Sequence, residues 1–436
     1  MKKVMQIVLI AAMAFFLTQC GGPKKMTQDE INQMPPQERI TYLEKYVEKN
    51  PNNLEMKKEL YKTYLETNMP DRAVPIMKDI INTDPYQAEV QFDYGNLMMK
   101  KGETQLAYRA FRDALKSPGG SMYSKQVSQY LGGKFVVQQV TSGQANEAFP
   151  CFSPDGSKII YQTDANGNWD IVEQDLASGT SKFLVDTPAD EELPNMSPDG
   201  KSLVYTSNAD DRRPIDNKFK VREIYLKELE TGFVRNLTES VADDWLPRFS
   251  HDGKYIVFVS ERSDLRSVPY TEKKSDIYVM DADGAFQLRL TEDDFNDGGP
   301  CYTYDDARIY FHSNRNGPYQ IFSMKADGSS QVTVFGMPGA NAVGPYTSPD
   351  SVHLAFFSDQ DGNYDIYRAE LNGSNIERLT YNAAKDTDPV YSPDGKSLAF
   401  QSNRNGNYDI FLLNFQVSSE PSVQELISRL DKMVGQ

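Results

Sequence analysis

Six times between Pro150 and Tyr408 the chain repeats one short phrase: a proline, a tight polar turn, an apolar strand and an Asp-Ile-Tyr-like strand. The turn reads Ser-Pro-Asp-Gly at 153–156, 197–200 and 392–395, with degenerate forms at 250–253, 303–306 and 348–351. The prolines ahead of these turns, Pro150, Pro194, Pro247, Pro300, Pro345 and Pro389, are 44, 53, 53, 45 and 44 residues apart. A period of about 40 to 45 residues with several strands per copy predicts the blades of a β-propeller.

Within the first copy, Pro-Asp-Gly, Asn-Gly and Ser-Gly turns separate strands over 151–153, 158–163, 170–176 and 182–186. The last copy stops after its third strand, 409–415, while an unpaired β-like run at 134–141 precedes the first. That run ends like the Leu-Thr pairs that close other copies at Leu237-Thr238, Leu290-Thr291 and Leu379-Thr380. An open ring would leave bare strand edges, so the upstream run is expected to complete the last blade.

Upstream lies a helical segment with its own period. Asn50-Pro51, Asp84-Pro85 and Ser117-Pro118 are 34 and 33 residues apart, and helical apolar patterns fill the gaps. Tyr94, Gly95, Gly102, Ala107, Phe111 and Ala114 occur in the order of a tetratricopeptide repeat, which these residues resemble; Tyr64, Ala73 and Met77 mark a weaker copy. Small residues there let helices approach, and Phe111 is expected to fill the gap. A plain helical spacer is the alternative. The predicted fold class is multidomain: a tetratricopeptide-like α-helical array over 37–132, capped by a helix near 123–131, then an all-β six-bladed propeller over 134–416. A tail over 417–436 carries a short helix.

Lys2 and Lys3 precede an apolar stretch over 4–17, ended by Leu17-Thr18-Gln19-Cys20. This resembles a bacterial lipoprotein signal, which implies removal of 1–19, lipidation of Cys20 and a tether over 20–36; an uncleaved anchor is the alternative. Gly21-Gly22, with no acidic residue, points to the outer membrane, facing the periplasm. Net charge is −16, or −18 without Lys2 and Lys3, which excludes nucleic acid and anionic lipid as main partners. Cys151 and Cys301 both follow the repeat proline, in copies three blades apart, so two free thiols are expected.

Strand order puts the loops after each second strand and the loops between blades on one face. Two features converge there. Three residues before the repeat prolines stand Glu147, Glu191, Asp244, Asp297 and Asp386, with Ala342 breaking the series. Six-fold symmetry would set these carboxylates around one mouth of the channel, as a site for a divalent cation or a cationic group, or each would cap its own turn. The second feature is unrepeated. The long loops of copies two and three carry Arg212, Arg213, Lys218, Phe219, Lys220 and Arg222, then Arg262, Arg266, Tyr270, Lys273 and Lys274. They are expected to form a basic, aromatic lip for a protein partner, or to be solvated insertions.

Catalytic signals are missing: no Gly-x-Ser-x-Gly elbow, His-Glu-x-x-His helix or phosphate-binding glycine loop occurs, and His251, His312 and His353 fall at unlike places in their copies. Trp169, Tyr225, Tyr278, Tyr367 and Tyr408 read as one recurring packing register.

The Ser-Pro-Asp-Gly phrase, the Ser-Asn-Arg-Asn-Gly phrase at 402–406 and its echo at 313–317, and the Asp-Ile-Tyr strands together resemble the TolB-like propeller repeats, a WD-like family. The resemblance implies six blades, a periplasmic location and protein partners, among them a peptidoglycan-associated lipoprotein. The helical region departs from that family's α/β domain, and the lipid signal departs from its free periplasmic form. The combination resembles lipid-anchored tetratricopeptide and TolB-like proteins of envelope assembly and secretion systems. The expectation is a non-enzymatic, lipid-anchored envelope scaffold with no required cofactor, whose partners are lipoprotein, outer-membrane or secretion-system components. The alternative is a sensor or carrier that binds a metal ion, cationic group or glycan in the channel.

Overall fold

Prolines and polar caps set the helix starts in the N-terminal region. The computed structural model, which describes residues 26–131, 135–268, 272–382, 384–417 and 421–434, places α1 (Gln28–Asn32), α2 (Pro36–Lys49), α3 (Leu54–Glu66), α4 (Pro70–Thr83), α5 (Ala88–Lys100), α6 (Thr104–Lys116) and α7 (Ser124–Tyr130) there. Thr27 and Glu30 form a capping box on α1, and the Asn53 side chain accepts from the Met56 amide at 3.1 Å to open α3. Pro36 and Pro70 occupy first-turn positions of α2 and α4, where a missing N–H leaves no bond unmade.

The tightest helix contact joins α5 to α6. A Cβ on Gly95 would fall 2.5 Å from Cε1 of Phe111, so only glycine admits that fully buried ring. Phe92 then stacks on Tyr123 with centroids 4.4 Å apart. The C-terminal helix α8 (Val423–Val434) also packs on α6. It buries Leu426, Ile427 and Leu430 and sets Asp431 3.2 Å from Lys116 and 3.6 Å from Arg112. The helical unit thus combines the chain up to Val127 with the segment from Pro421, and the β unit runs over Ser128–Glu420. Among the described residues no helix is long and apolar enough to cross a membrane. Cys20 lies outside the described residues.

Six four-stranded sheets make up the β unit. Blade one is β2 (Glu147–Phe152), β3 (Lys158–Thr163), β4 (Asp170–Asp175) and β5 (Ser181–Val185); blade two is β6 (Glu191–Met196), β7 (Ser202–Ser207), β8 (Glu223–Glu228) and β9 (Val234–Asn236). Blade three is β10 (Asp244–Phe249), β11 (Tyr255–Ser260), β12 (Asp276–Asp281) and β13 (Leu288–Arg289); blade four is β14 (Asp297–Tyr302), β15 (Arg308–Ser313), β16 (Gln320–Lys325) and β17 (Val332–Phe335). Blade five is β18 (Ala342–Thr347), β19 (His353–Ser358), β20 (Asp365–Glu370) and β21 (Glu377–Arg378). Blade six is β22 (Asp386–Tyr391), β23 (Ser397–Ser402) and β24 (Asp409–Val417), completed by β1 (Phe135–Gln139) antiparallel to β24. Phe135 is buried there, edge-on to Phe415 at 5.3 Å.

The repeat proline lies inside the innermost strand of each blade, where the sequence reading put it ahead of that strand. Every innermost strand shifts register at this point, and the residue before the proline is left-handed: Phe149, Leu193, Leu246 and Asp388 at φ of 50, 55, 53 and 54°, with Gly299 and Gly344 in blades four and five. A proline has no N–H to give the ladder, so a bulge is where a strand accommodates it. The four non-glycine residues each carry about 1–2 kcal/mol of backbone strain. Glycine is obligatory at 299, because a Cβ would sit 2.7 Å from Nδ1 of His312.

Neighbouring blades are zipped at the opposite end by their polar turns. In blade one Ser153 donates to Asp155 at 2.6 Å, and the Ser157 amide donates to the same carboxylate at 3.0 Å. Gly156 then faces Pro393 of the preceding blade, where a Cβ would lie 3.4 Å from Cδ, and Gly200, Gly253 and Gly395 face Pro154, Pro198 and Pro349 in the same way. Between blades three and four both partners are replaced together. Asp306 stands where glycine would, and accepts from the His251 and Asp252 amides at 2.7 and 2.8 Å.

Candidate functional site

The acidic positions are the first residues of the innermost strands, and the structure moves them from an open mouth into the blades. Glu147, Glu191, Asp244, Asp297 and Asp386 are all buried. Arginines from the same blades answer three of them: Arg262 bonds Asp244, Arg315 lies 2.8 Å from Asp297, and Arg404 lies 3.1 Å from Asp386. Each guanidinium also takes its blade's last second-strand serine, at 2.8 Å for Arg262 and 2.9 Å for Arg315 and Arg404. These groups tie a blade together and present no ring of free charge, so the mouth reading is corrected for them. Physically, the bulge adds one residue ahead of the proline and turns the acids inward.

Each acid meets a second carboxylate at the start of the preceding blade's third strand, except where Ala342 and Gln320 replace both. Asp276 is held by Arg289 at 2.9 Å and Asp365 by Arg378 at 2.7 Å. Glu147 beside Asp409 and Glu191 beside Asp170 have no such arginine; Glu191 instead accepts from Thr187, its hydroxyl at 2.5 Å. Burial pushes the carboxyls of Glu147, Glu191 and Glu223 up to about 7.

The axial channel is filled by side chains. The Arg248 guanidinium lies 4.8 Å from the Tyr346 ring centroid, with Nη1 3.5 Å from the Pro345 carbonyl. Gln401 accepts from the strained Phe149 amide and Gln162 from that of Leu193, both at 2.8 Å, and Gln401 donates to Asp388 at 2.9 Å. Burial lowers His312 to about 4, so it stays neutral and accepts from the Gly344 amide at 3.3 Å. The free volume beside Arg248, Tyr346 and Asp388 is about 30 Å³, room for a water or two. Among the described residues no group of three or more His, Cys, Asp or Glu side chains could hold a metal ion. Cys151 and Cys301 are free and buried.

The long loops of blades two and three share one internal wiring that repeats residue for residue. Asp211 accepts from Arg213 Nε at 2.8 Å and the Val221 amide at 2.8 Å, while Arg213 Nη2 reaches the Phe219 carbonyl at 3.2 Å. Asp264 likewise accepts from Arg266 Nε at 2.9 Å and the Lys274 amide at 2.8 Å, and Arg266 Nη2 reaches the Glu272 carbonyl at 2.8 Å. Lys273 donates to the carbonyls of Asp264 and Arg266 at 2.7 and 2.6 Å.

The expected basic lip is therefore corrected in part. Arg213, Arg266 and Lys273 hold the loops in shape, Arg222 is drawn to Asp243 at 3.1 Å, and Arg262 enters the blade. Lys274 is 3.7 Å from Asp294. Arg212 and Lys218 face outward, Lys218 lying 5.0 Å from the Phe219 ring centroid. Tyr270 lies outside the described residues. Sequence reasoning named Phe219 but missed the other apolar tips: Leu265 is 91% and Val241 96% exposed, and Ile215 is exposed in the same loop as Phe219. A leucine and an isoleucine in otherwise polar insertions were the available signal. The aromatic register is also corrected: Trp169 and Tyr408 precede the third-strand acid, whereas Tyr225, Tyr278 and Tyr367 lie two residues after it.

Residues 331–426 match the family described as PD40, the TolB beta propeller domain. An uncharacterised protein of Agrobacterium fabrum is 34% identical over 113 residues, 26% of this chain; the chain covers 35% of that relative's length. A provisionally named TolB from Agrobacterium tumefaciens superposes with a TM-score of 0.50 at 21% identity, over 64% of this chain and 97% of that one. TolB from Acinetobacter baumannii gives 0.44 at 22% identity, over 69% and 70%. The β unit of this chain is a TolB-like six-bladed β-propeller in fold.

Proposed function

We propose that this chain is a non-enzymatic scaffold of the bacterial cell envelope that docks protein partners on the loop face of its propeller. The observation that carries this reading is the set of exposed apolar tips, Ile215, Phe219, Val241 and Leu265, two of the three segments being stiffened by buried-side Asp–Arg chelates. Large apolar side chains held out on rigid loops are what a protein interface buries, and rigid loops lose little entropy on binding. Lipidation of Cys20 would tether the chain to the outer membrane, and the helical unit, read as tetratricopeptide-like, would add a second modest surface that gains through effective concentration. Partners of this kind are lipoprotein, outer-membrane or secretion-system proteins.

The test is capture from detergent-solubilised envelopes by the full chain, compared with Phe219→Ser and Leu265→Ser. A protein retained by the wild type and lost from both variants, with their melting temperatures unchanged, supports docking at the rim. Retention by both variants sinks it. Labelled palmitate incorporated by the wild type and not by Cys20→Ser tests the anchor.

A further inference from the structure

Blade one lacks a part that blades three, four and six possess. In blades three, four and six an arginine two residues after the second strand folds back between two rings: Arg262 lies 5.5 and 5.1 Å from the centroids of Phe258 and Tyr278. Arg315 lies 5.5 and 4.7 Å from Phe311 and Phe322, and Arg404 lies 5.5 and 4.2 Å from Phe400 and Phe411. In every case the same guanidinium bonds the innermost-strand carboxylate and the second-strand serine. In blades three and four Gln287 and Gln331 accept from its remaining nitrogen, at 2.9 Å for Arg315.

Three replacements in blade one remove this filling together. The arginine position is Ala165, the third-strand ring is Val172, and the glutamine is Ser181, as the strand registers align them. What remains is a cavity of about 380 Å³, lined by Glu147, Tyr161, Thr163, Ala165, Val172 and Ser181 among others. That is within the usual small-ligand range of about 300–1,000 Å³. The acceptors were kept while the donor was lost. Glu147 holds the place of Asp244, Asp297 and Asp386, is 8% exposed, and stands beside Thr141 and Asp409, its Oε2 taking no N–H donor among the described residues. Asp409 across the blade junction also has an unpartnered oxygen among the described residues, Oδ1, and its other oxygen accepts from the neutral Gln139 and Asn405, at 3.1 and 3.0 Å. The nearest cation at the cavity rim, Lys182, is 3.2 Å from Glu173 instead. A buried carboxyl without a cation holds its proton more tightly, as Glu147 does beside Asp409 at about 7, whereas blades three, four and six supply an arginine.

We propose that this vacated slot binds an alkylguanidinium group supplied from outside the chain, with Glu147 as counter-ion, Thr163 as a further acceptor and Tyr161 as the flanking ring. A guanidinium fits the planar, forked donor set that Arg262, Arg315 and Arg404 present to the same residue types. The source is either a free small cation or the arginine side chain of a protein. The slot is independent of the docking rim, since it lies inside blade one and its lining shares none of the rim's residues.

Calorimetric titration of the full chain with ethylguanidinium, with ethylurea as its neutral isostere, and with N-acetyl-arginine methylamide tests this. Saturable binding of ethylguanidinium but not ethylurea is expected. Glu147→Gln should weaken it at least about tenfold, as loss of a charge-assisted pair does. Ala165→Arg should abolish it by filling the slot as blade three is filled. Tighter binding of the arginine derivative than of ethylguanidinium assigns a protein source, and weaker binding a free cation. Absence of saturable cation binding to the folded wild type, or equal binding to Glu147→Gln, overturns the proposal; Glu147→Gln decides alone if Ala165→Arg does not fold.

Discussion

Nη2 of Arg404 lies 3.1 Å from both carboxylate oxygens of Asp386, a fully buried residue eighteen positions earlier in the same blade. Arg315 repeats the relationship with Asp297 at 3.0 and 2.8 Å. Removing the cation leaves a buried charge unpaired, which costs about 3–5 kcal/mol. Arg315→Ala is therefore expected to lower the propeller's unfolding free energy, read from denaturant titration, by that order. The double variant Arg315→Ala, Asp297→Ala should be less damaged than the two single losses summed. A loss under about 1 kcal/mol in Arg315→Ala would mean that the pair behaves as a surface ion pair.

Gly95 and Phe111 make the helical unit intolerant of one methyl group. The ring is fully buried and the added Cβ would lie 2.5 Å from it. Overpacking of this kind costs about 1–3 kcal/mol, so Gly95→Ala should lower the helical unit's melting temperature, followed by circular dichroism at 222 nm (the standard helix wavelength). Phe111→Leu in the same chain should recover part of the loss. An unchanged melting temperature for Gly95→Ala would contradict the contact.

The buried glutamates set a pH dependence whose sign follows from their direction. Glu191 and Glu223 rise from an ordinary 4.5 to about 7 in the folded chain, chiefly through burial. The folded state then holds more protons than the unfolded one between those values. Their stabilisation is complete below about 4.5 and is lost as pH rises through about 7. Glu191→Gln should flatten the fall in melting temperature across that window. Asp155 and Asp252 act oppositely, held down to about 2 by Ser153 and by Lys254 respectively, so their contribution disappears only as pH falls toward 2. A melting curve for Glu191→Gln parallel to the wild type at all pH values would refute the assignment.

Closure of the ring depends on one short strand. Phe135 is 6% exposed against Phe415, and β1 covers the outer edge of β24. Phe135→Ala should cost about 3–5 kcal/mol. Val137→Pro should unpair the strand and expose β24, which limited proteolysis and strand-exchanged dimers on size exclusion would report. A monomer as protease-resistant as the wild type would mean that the latch is dispensable.

Legibility differed between residues for a physical reason. Strand 158–163 coincides with β3, because its apolar run is bounded by a turn on each side. The innermost strand was misplaced by four residues, since it begins at Glu147 and passes through Pro150 by a bulge that no alternation rule counts. That slip is also why the five acids looked like a mouth. The Ser-Asn-Arg-Asn-Gly phrase was visible, but its arginine's partner stands eighteen positions away and meets it only across two paired strands. The C-terminal helix was visible as a helix, whereas its seat on α6 joins Lys116 to Asp431 across 315 positions.

By itself the sequence determined the number of blades, the order of helical and β units, and the shortage of one strand in the last copy, because each is a local pattern repeated along the chain. Tertiary structure alone decided which charges are answered. Whether an acid meets an arginine, a second carboxylate or an empty slot depends on bulges and blade junctions that bring distant residues within hydrogen-bond reach. Ala165, Val172 and Ser181 are unremarkable as letters, and become one cavity only when three strands lie side by side.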